Sequence, residues 1–147
     1  RGQMLLFRAP QGLLHHVVLA GDRYLIPRRD GRILAGSTLE YVGFDKVTTA
    51  EALEELRAAA HAMLPGLEDA ELEAHWAGLR PGTPHGVPFI GPHPEIAGLH
   101  INAGHFRNGV VLGPASARLA VDRLLGRPPV LDPMPYDPAG AEQEKVL

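Results

Sequence analysis

The sequence predicts an α+β fold: an antiparallel-rich mixed sheet crossed by one long helix, followed by a C-terminal strand, loop and helix. Three observations carry this. Short apolar runs in the first forty residues are separated by the turn dipeptides Gly21-Asp22 and Asp30-Gly31, and Asp-Gly between apolar runs is a strong hairpin signal. One stretch, 48–64, has helical periodicity and both stop and start signals. A glycine-bounded turn, "GHFRNG" at 104–109, opens a second helical run.

The elements follow in order. "QMLLFR" (3–8) is an apolar run of strand length, and 13–40 reads as three strands joined by tight turns, with His15 and His16 on opposite faces of the first. Pro27 has no amide donor, so its strand is an edge or its amide position faces outward. Residues 41–47 form a loop. In the helix, Thr48 and Glu51 have capping-box spacing, and Ala50, Leu53, Leu56, Ala60 and Met63 trace one apolar face. Pro65-Gly66 ends it. "AELEAHWAGL" (70–79) alternates as a half-buried strand does, with Ala70, Leu72, Ala74 and Trp76 on one side and Glu71, Glu73 and His75 on the other. Residues 78–94 form a long ordered loop that must still bury Val87, Phe89 and Ile90. Residues 99–103 make a short strand and 110–125 a helix. The tail after Gly126 is proline-rich, then polar, and is expected to be draped over the surface or disordered.

At 147 residues the chain can bury a real core. Its net charge of −3 gives no reason to expect nucleic acid or an anionic membrane as partner, and no apolar run has the length of a membrane span. There is no cysteine, so disulfide and thiolate chemistry are excluded within these residues, which fits a reducing compartment and a cytoplasmic location. Because it starts Arg1-Gly2-Gln3, the chain is read as a piece of a longer protein.

Eight histidines are present, but none has the spacing with a carboxylate that a metal site needs, so no metal is expected. No serine stands in a G-x-S-x-G elbow. No two glycines are separated by a single residue, so there is no G-x-G-x-x-G to cradle a dinucleotide pyrophosphate. What remains is two arginines in glycine-rich loops, each preceded by a strand: Arg80 in "WAGLRPGTPHGVPFIG" and Arg107 in "GHFRNG". A guanidinium binds a carboxylate through two parallel hydrogen bonds. The helix start after Arg107 adds amides with partial positive charge.

"YLIPRRDGRILAGST", "WAGLRPGTPHGVPFIGPHP" and "GHFRNGVVLGPASARL", in this order and spacing, resemble the C-terminal half of the glycine oxidase and D-amino acid oxidase family, and most of all the flavoprotein glycine oxidases of thiamine biosynthesis. The resemblance spans about residues 1–126. It implies an FAD-dependent oxidase that converts glycine, sarcosine or small D-amino acids to the imine and yields hydrogen peroxide. By the same resemblance Arg80 pairs with the substrate carboxylate, Tyr24 helps hold it, and Arg107 lies beside the substrate. The segment Arg107, Asn108, Gly109 and Val110 lies against the pyrimidine edge of the flavin. Leu39 stands where the family has a pocket-lining methionine. No residue of this chain is assigned a catalytic role, and His105 and Phe106 are read as packing residues.

The resemblance also implies three parts: a substrate-binding domain (1–97), a C-terminal strand and helix of the FAD-binding domain (98–126), and a proline-rich tail (127–147). The dinucleotide-binding segment would lie N-terminal to Arg1, so this chain alone is expected to be incomplete and inactive, and the complete enzyme a homo-oligomer. Two other readings stay open: a sarcosine-type secondary amine oxidase or dehydrogenase, and a non-catalytic fragment or remnant.

Overall fold

A computed structural model describes residues 1–140. The chain forms two compact units, Arg1–Leu79 and Arg80–Leu147. The α+β expectation holds.

The first unit is a five-stranded sheet with one helix. Its strands are β1 (Gly2–Arg8), β2 (Val18–Ala20), β3 (Arg23–Pro27), β4 (Arg32–Gly36) and β5 (Glu71–Gly78), and its helix is α1 (Ala50–Met63). The strand order is β2-β3-β4-β1-β5, and every pairing is antiparallel. The two dipeptide turns lie where expected, between β2 and β3 and between β3 and β4. The first of the three strands is shorter than expected: β2 begins at Val18, so His15 and His16 precede it in a loop. Pro27 is on an inner strand, yet costs no ladder bond. β2 stops at Val18 opposite Leu25. The neighbouring Arg28 amide donates to Arg32 O, and successive strand amides alternate in direction, so the Pro27 nitrogen faces the side that β2 does not reach.

Residues directly opposite in a ladder share a face. On one face Leu5, Phe7, Leu25, Ile33 and Ala35 pack against Leu56 and Ala60 of α1 and against Leu67. The buried line of the helix is Ala52, Leu56 and Ala60, with Leu53 and Met63 at its margin. Ala50, expected on this line, is exposed, because two residues before Ala52 is more than half a turn around the helix from the buried line. The helix also starts one residue later than the capping-box reading implies. The N-cap is Thr49, not Thr48. Thr49 is extended and its side chain accepts from the Ala52 amide. A short 3-10 turn, Pro65–Leu67, follows the helix.

β5 departs from simple alternation. Its register against β1 slips between Leu6 and Phe7, so that Leu6 faces Ala74 while Phe7 faces Leu72. Glu73 is therefore an extra, bulged residue. Leu72 shares the helix side with Phe7, whereas Ala74 and Trp76 share the opposite side with Leu6 and Met4. The expected single apolar side of Ala70, Leu72, Ala74 and Trp76 is thus split between two faces. The bulged Glu73 lies within salt-bridge range of Arg8 and Arg32 (3.1 and 3.2 Å), which would otherwise oppose each other across β1 and β4.

The second unit contains β6 (Phe89–Pro92), β7 (His100–Ala103) and α2 (Gly109–Leu124). β6 and β7 pair antiparallel. The 78–94 stretch is therefore not all loop: Phe89 and Ile90 pair with Ala103 and Asn102. Ile90 is buried and Phe89 half-buried, but Val87 is exposed, contrary to expectation. After α2 the tail is draped. The Arg123 guanidinium donates to Ile90 O of β6 and to Asp137 of the tail, and Pro138 is buried. Residues 141–147 of the tail lie outside the described residues.

Candidate functional site

Two of the residues singled out in the sequence lie in the first unit. Tyr24 sits on β3 opposite Gly36 of β4, on the sheet face turned away from α1. Its neighbours along that row are Leu19, Gly36, Met4 and Trp76. Gly36 has a steric reason: a Cβ there would come within 2.9 Å of the Tyr24 hydroxyl and 3.0 Å of Met4 Cε. The ring thus lies across a position that only glycine leaves open. The Tyr24 hydroxyl meets Met4 Sδ at 3.9 Å, and a thioether is a weak acceptor. The phenol therefore retains its capacity to donate to a stronger acceptor.

Leu39 is 41% exposed and lines an open depression with Asp22, Arg23, Thr49 and Glu55. Its flanking residues are fixed. Thr38 exchanges bonds with Gln3, its amide to Gln3 O and its hydroxyl from the Gln3 amide. The Glu40 amide donates to Arg1 O, and its carboxylate accepts from the side chains of Arg1, Thr38 and Gln3. Burial alone would raise the Glu40 carboxyl. The Arg1 guanidinium and the Thr38 and Gln3 bonds outweigh burial and hold it at about 2.

Gln3 is a residue that the sequence reading missed. It is fully buried, and both ends of its amide are used. Nε2 donates to Glu40 Oε1 at 2.9 Å, and Oε1 accepts from the Thr49 amide at 3.0 Å. Oε1 lies 2.9 Å from His75 Nε2 and can only accept, so His75 donates from Nε2. Burial pushes the His75 pKa down, which suits this neutral donor.

The other singled-out residues lie in the second unit, where the structure brings the two arginine-bearing loops together. The Phe106 amide donates to Pro81 O at 2.9 Å, joining "GHFRNG" to "GLRPGTP". Gly104 is buried with φ +88°, and a Cβ there would collide with the Thr83 side chain. Phe106 has φ +51° and is the one non-glycine residue in the left-handed region among the described residues. Such a conformation costs on the order of 1–3 kcal/mol and persists only where its surroundings enforce it. Arg80 is half-buried and Arg107 exposed.

Asn108 is the N-cap of α2, but its side chain makes no capping bond. The first backbone bond of the helix runs from Leu112 N to Asn108 O, so the amides of Gly109, Val110 and Val111 precede the hydrogen-bonded ladder. All three residues are exposed. This is an anion-favouring helix start with glycine at its approach. His105, read as a packing residue, also makes a specific bond: its Nε2 lies 2.8 Å from Ser116 Oγ of α2.

Among the described residues no group of three or more His, Asp or Glu could hold a metal ion, and no helix is long and apolar enough to cross a membrane.

Residues 1–123 match the family described as FAD dependent oxidoreductase. The chain is 58% identical over 140 residues to a glycine oxidase of Pseudomonas aeruginosa, covering 95% of this chain and 38% of that relative. Among solved structures it resembles a glycine oxidase from Geobacillus kaustophilus, with a TM-score of 0.86 and 36% identity over 92% of this chain and 37% of that one. It also resembles an iminodiacetate oxidase from Chelativorans sp. BNC1, with a TM-score of 0.86 and 30% identity over 93% and 38%. The chain thus spans under two-fifths of the length of these relatives.

Proposed function

Since the chain belongs to the FAD dependent oxidoreductase family, we propose that it is the C-terminal portion of an oxidase acting on glycine and related small amino acids. The substrate would lose two electrons across its Cα–N bond to become the imine, and oxygen would be reduced to hydrogen peroxide. The observation that carries the reading is the joining of the Arg80 and Arg107 loops, through Phe106 N and Pro81 O, beside an uncapped helix start.

FAD, when bound, supplies the two-electron oxidation. The residues present fit its ring system. Arg107, Asn108, Gly109 and Val110 form an exposed approach whose amides favour the partial negative charge of a reduced pyrimidine edge. The phosphates would fall to residues outside this chain, since its glycines lack the required spacing.

We assign Arg80, with the Tyr24 hydroxyl, to the substrate carboxylate, Arg107 to its flank, and Leu39 to the pocket wall. Relatives named for glycine and for iminodiacetate share an N–CH2–carboxylate unit, which favours secondary amines such as sarcosine as further substrates. The resemblance assigns 1–97 to the substrate domain, 98–126 to the flavin domain and 127–147 to a tail, whereas the compact units divide after Leu79. We place the enzyme in the cytoplasm, with a role in thiamine biosynthesis. Exposed Tyr41 and Phe44 favour a homo-oligomer.

The test is anaerobic mixing of the full-length protein with glycine or sarcosine. Bleaching of the flavin, with peroxide formed once oxygen is admitted, is expected. A flavin that no small amino acid or amine bleaches, while dithionite does, would overturn the substrate reading.

A further inference from the structure

We propose that His105 is a positioning residue, acting through Ser116 to hold the 104–109 loop in the geometry that presents Arg107 and the first amides of α2. This rests on the reading that those groups face the flavin and substrate.

Three observations lead here. First, the loop is in a conformation it would not adopt unaided. Gly104 and Phe106 are both left-handed, and Phe106 does so without glycine's freedom. Second, the helix start is not fixed by its own N-cap, because the Asn108 side chain makes no bond to the first turn. Third, the ring of His105 reaches past that turn to Ser116 Oγ at 2.8 Å. Ser116 is only 4% exposed and sits on the inner face of α2 with Leu119 and Asp122. A buried hydroxyl needs a partner, and among the described residues His105 supplies it.

The His105–Ser116 bond therefore does the locking that the cap does not. Together with Phe106 N to Pro81 O and Asn108 N to His105 O, it leaves the backbone at Phe106 little room to relax. If the bond is broken, Phe106 can return toward ordinary φ, and the peptide planes on its C-terminal side rotate. The amides of Gly109 and Val110 would then no longer point at a common spot.

Full-length flavoprotein carrying His105→Ala, Ser116→Ala, both together, or His105→Gln distinguishes this role from general packing. The probe is the dissociation constant of sulfite, whose binding to oxidised flavin is favoured by positive potential at the pyrimidine edge. His105→Ala and Ser116→Ala should each weaken sulfite binding by about tenfold, and the double variant should be no weaker than either alone, as expected for two groups sharing one bond. His105→Gln, which can place an amide nitrogen near the same point, should retain most of the affinity. KM for glycine should rise with sulfite Kd across the series.

Wild-type sulfite affinity in His105→Ala at full flavin content, or independent additive losses in the double variant, would overturn the proposal. Because sulfite needs no substrate, a wild-type flavin that glycine fails to bleach would count against the substrate reading alone.

Discussion

Replacing Gln3 with alanine should cost the full-length protein far more than a surface glutamine would. Gln3 is wholly buried, and its loss strands two donors at once: the Thr49 backbone amide and His75 Nε2. An unsatisfied donor in such a setting costs about 1–3 kcal/mol. Both lie where partial solvent access tempers this, so about 1–2 kcal/mol each is reasonable, with roughly another 1 kcal/mol for the lost side-chain volume. Glu40 Oε1 keeps its Thr38 partner and adds little. The sum is about 3–5 kcal/mol.

Urea unfolding gives the total, and hydrogen exchange at the Thr49 amide locates it, since that amide donates to the Gln3 side chain. Gln3→Glu sharpens the test. It preserves the acceptor for Thr49 and His75 but puts a second carboxylate against Glu40. The folded state then favours the protonated form of the new group, raising its pKa. The deficit relative to wild type should be large at neutral pH and shrink as pH falls through that raised value. A loss below about 1 kcal/mol for Gln3→Ala, with the Thr49 amide still protected, would refute the reasoning.

Arg80→Ala in the full-length enzyme should lower kcat/KM for glycine by roughly two to three orders of magnitude, since breaking a buried ion pair costs about 3–5 kcal/mol, and Arg80→Lys should restore only part; a neutral amine should be affected far less. Gly36→Ala should push the Tyr24 hydroxyl and Met4 aside and raise KM for a carboxylate substrate by about tenfold, with flavin content unchanged. The Glu40 carboxyl, held at about 2, contributes stability that is present above its ordinary range and is lost as pH falls toward that value. Acid unfolding of Glu40→Gln should therefore be less steep between pH 4.5 and 2 than that of wild type.

The features legible in the sequence were those written in local chemistry. Asp30-Gly31 gave a turn because both residues tolerate its backbone, and α1 was visible because its core-facing residues recur at helical spacing. The two arginine loops stood out because glycine and proline frame them. What escaped notice depends on partners distant in sequence. The bulge at Glu73 exists only in relation to β1, and nothing in "AELEAHWAGL" alone marks the extra residue. Phe89 and Ile90 are too short a run between prolines to read as a strand until β7 pairs with them. Gln3, the polar residue that opens an apolar run, carries no local mark of its burial, and its partners at 40, 49 and 75 become neighbours only in the folded sheet. The capping pattern favours Thr48, which has Glu51 three residues on, yet Thr49 caps the helix, its side chain accepting from the Ala52 amide and its own amide held by the distant Gln3.

The bulge in β5 gives this stretch of chain an unusual tolerance of a change in length. Removing one residue from a regular strand sends every later side chain to the opposite face of the sheet. Here Leu72 lies opposite Phe7 and Ala74 opposite Leu6, adjacent positions of β1, with Glu73 unpaired between them. Deleting Glu73 would leave both pairings and the facing of every remaining side chain as they are, and would remove the carboxylate that lies near Arg8 and Arg32. A single-codon deletion at this point would thus be a change of length without a change of parity, felt in charge rather than in packing.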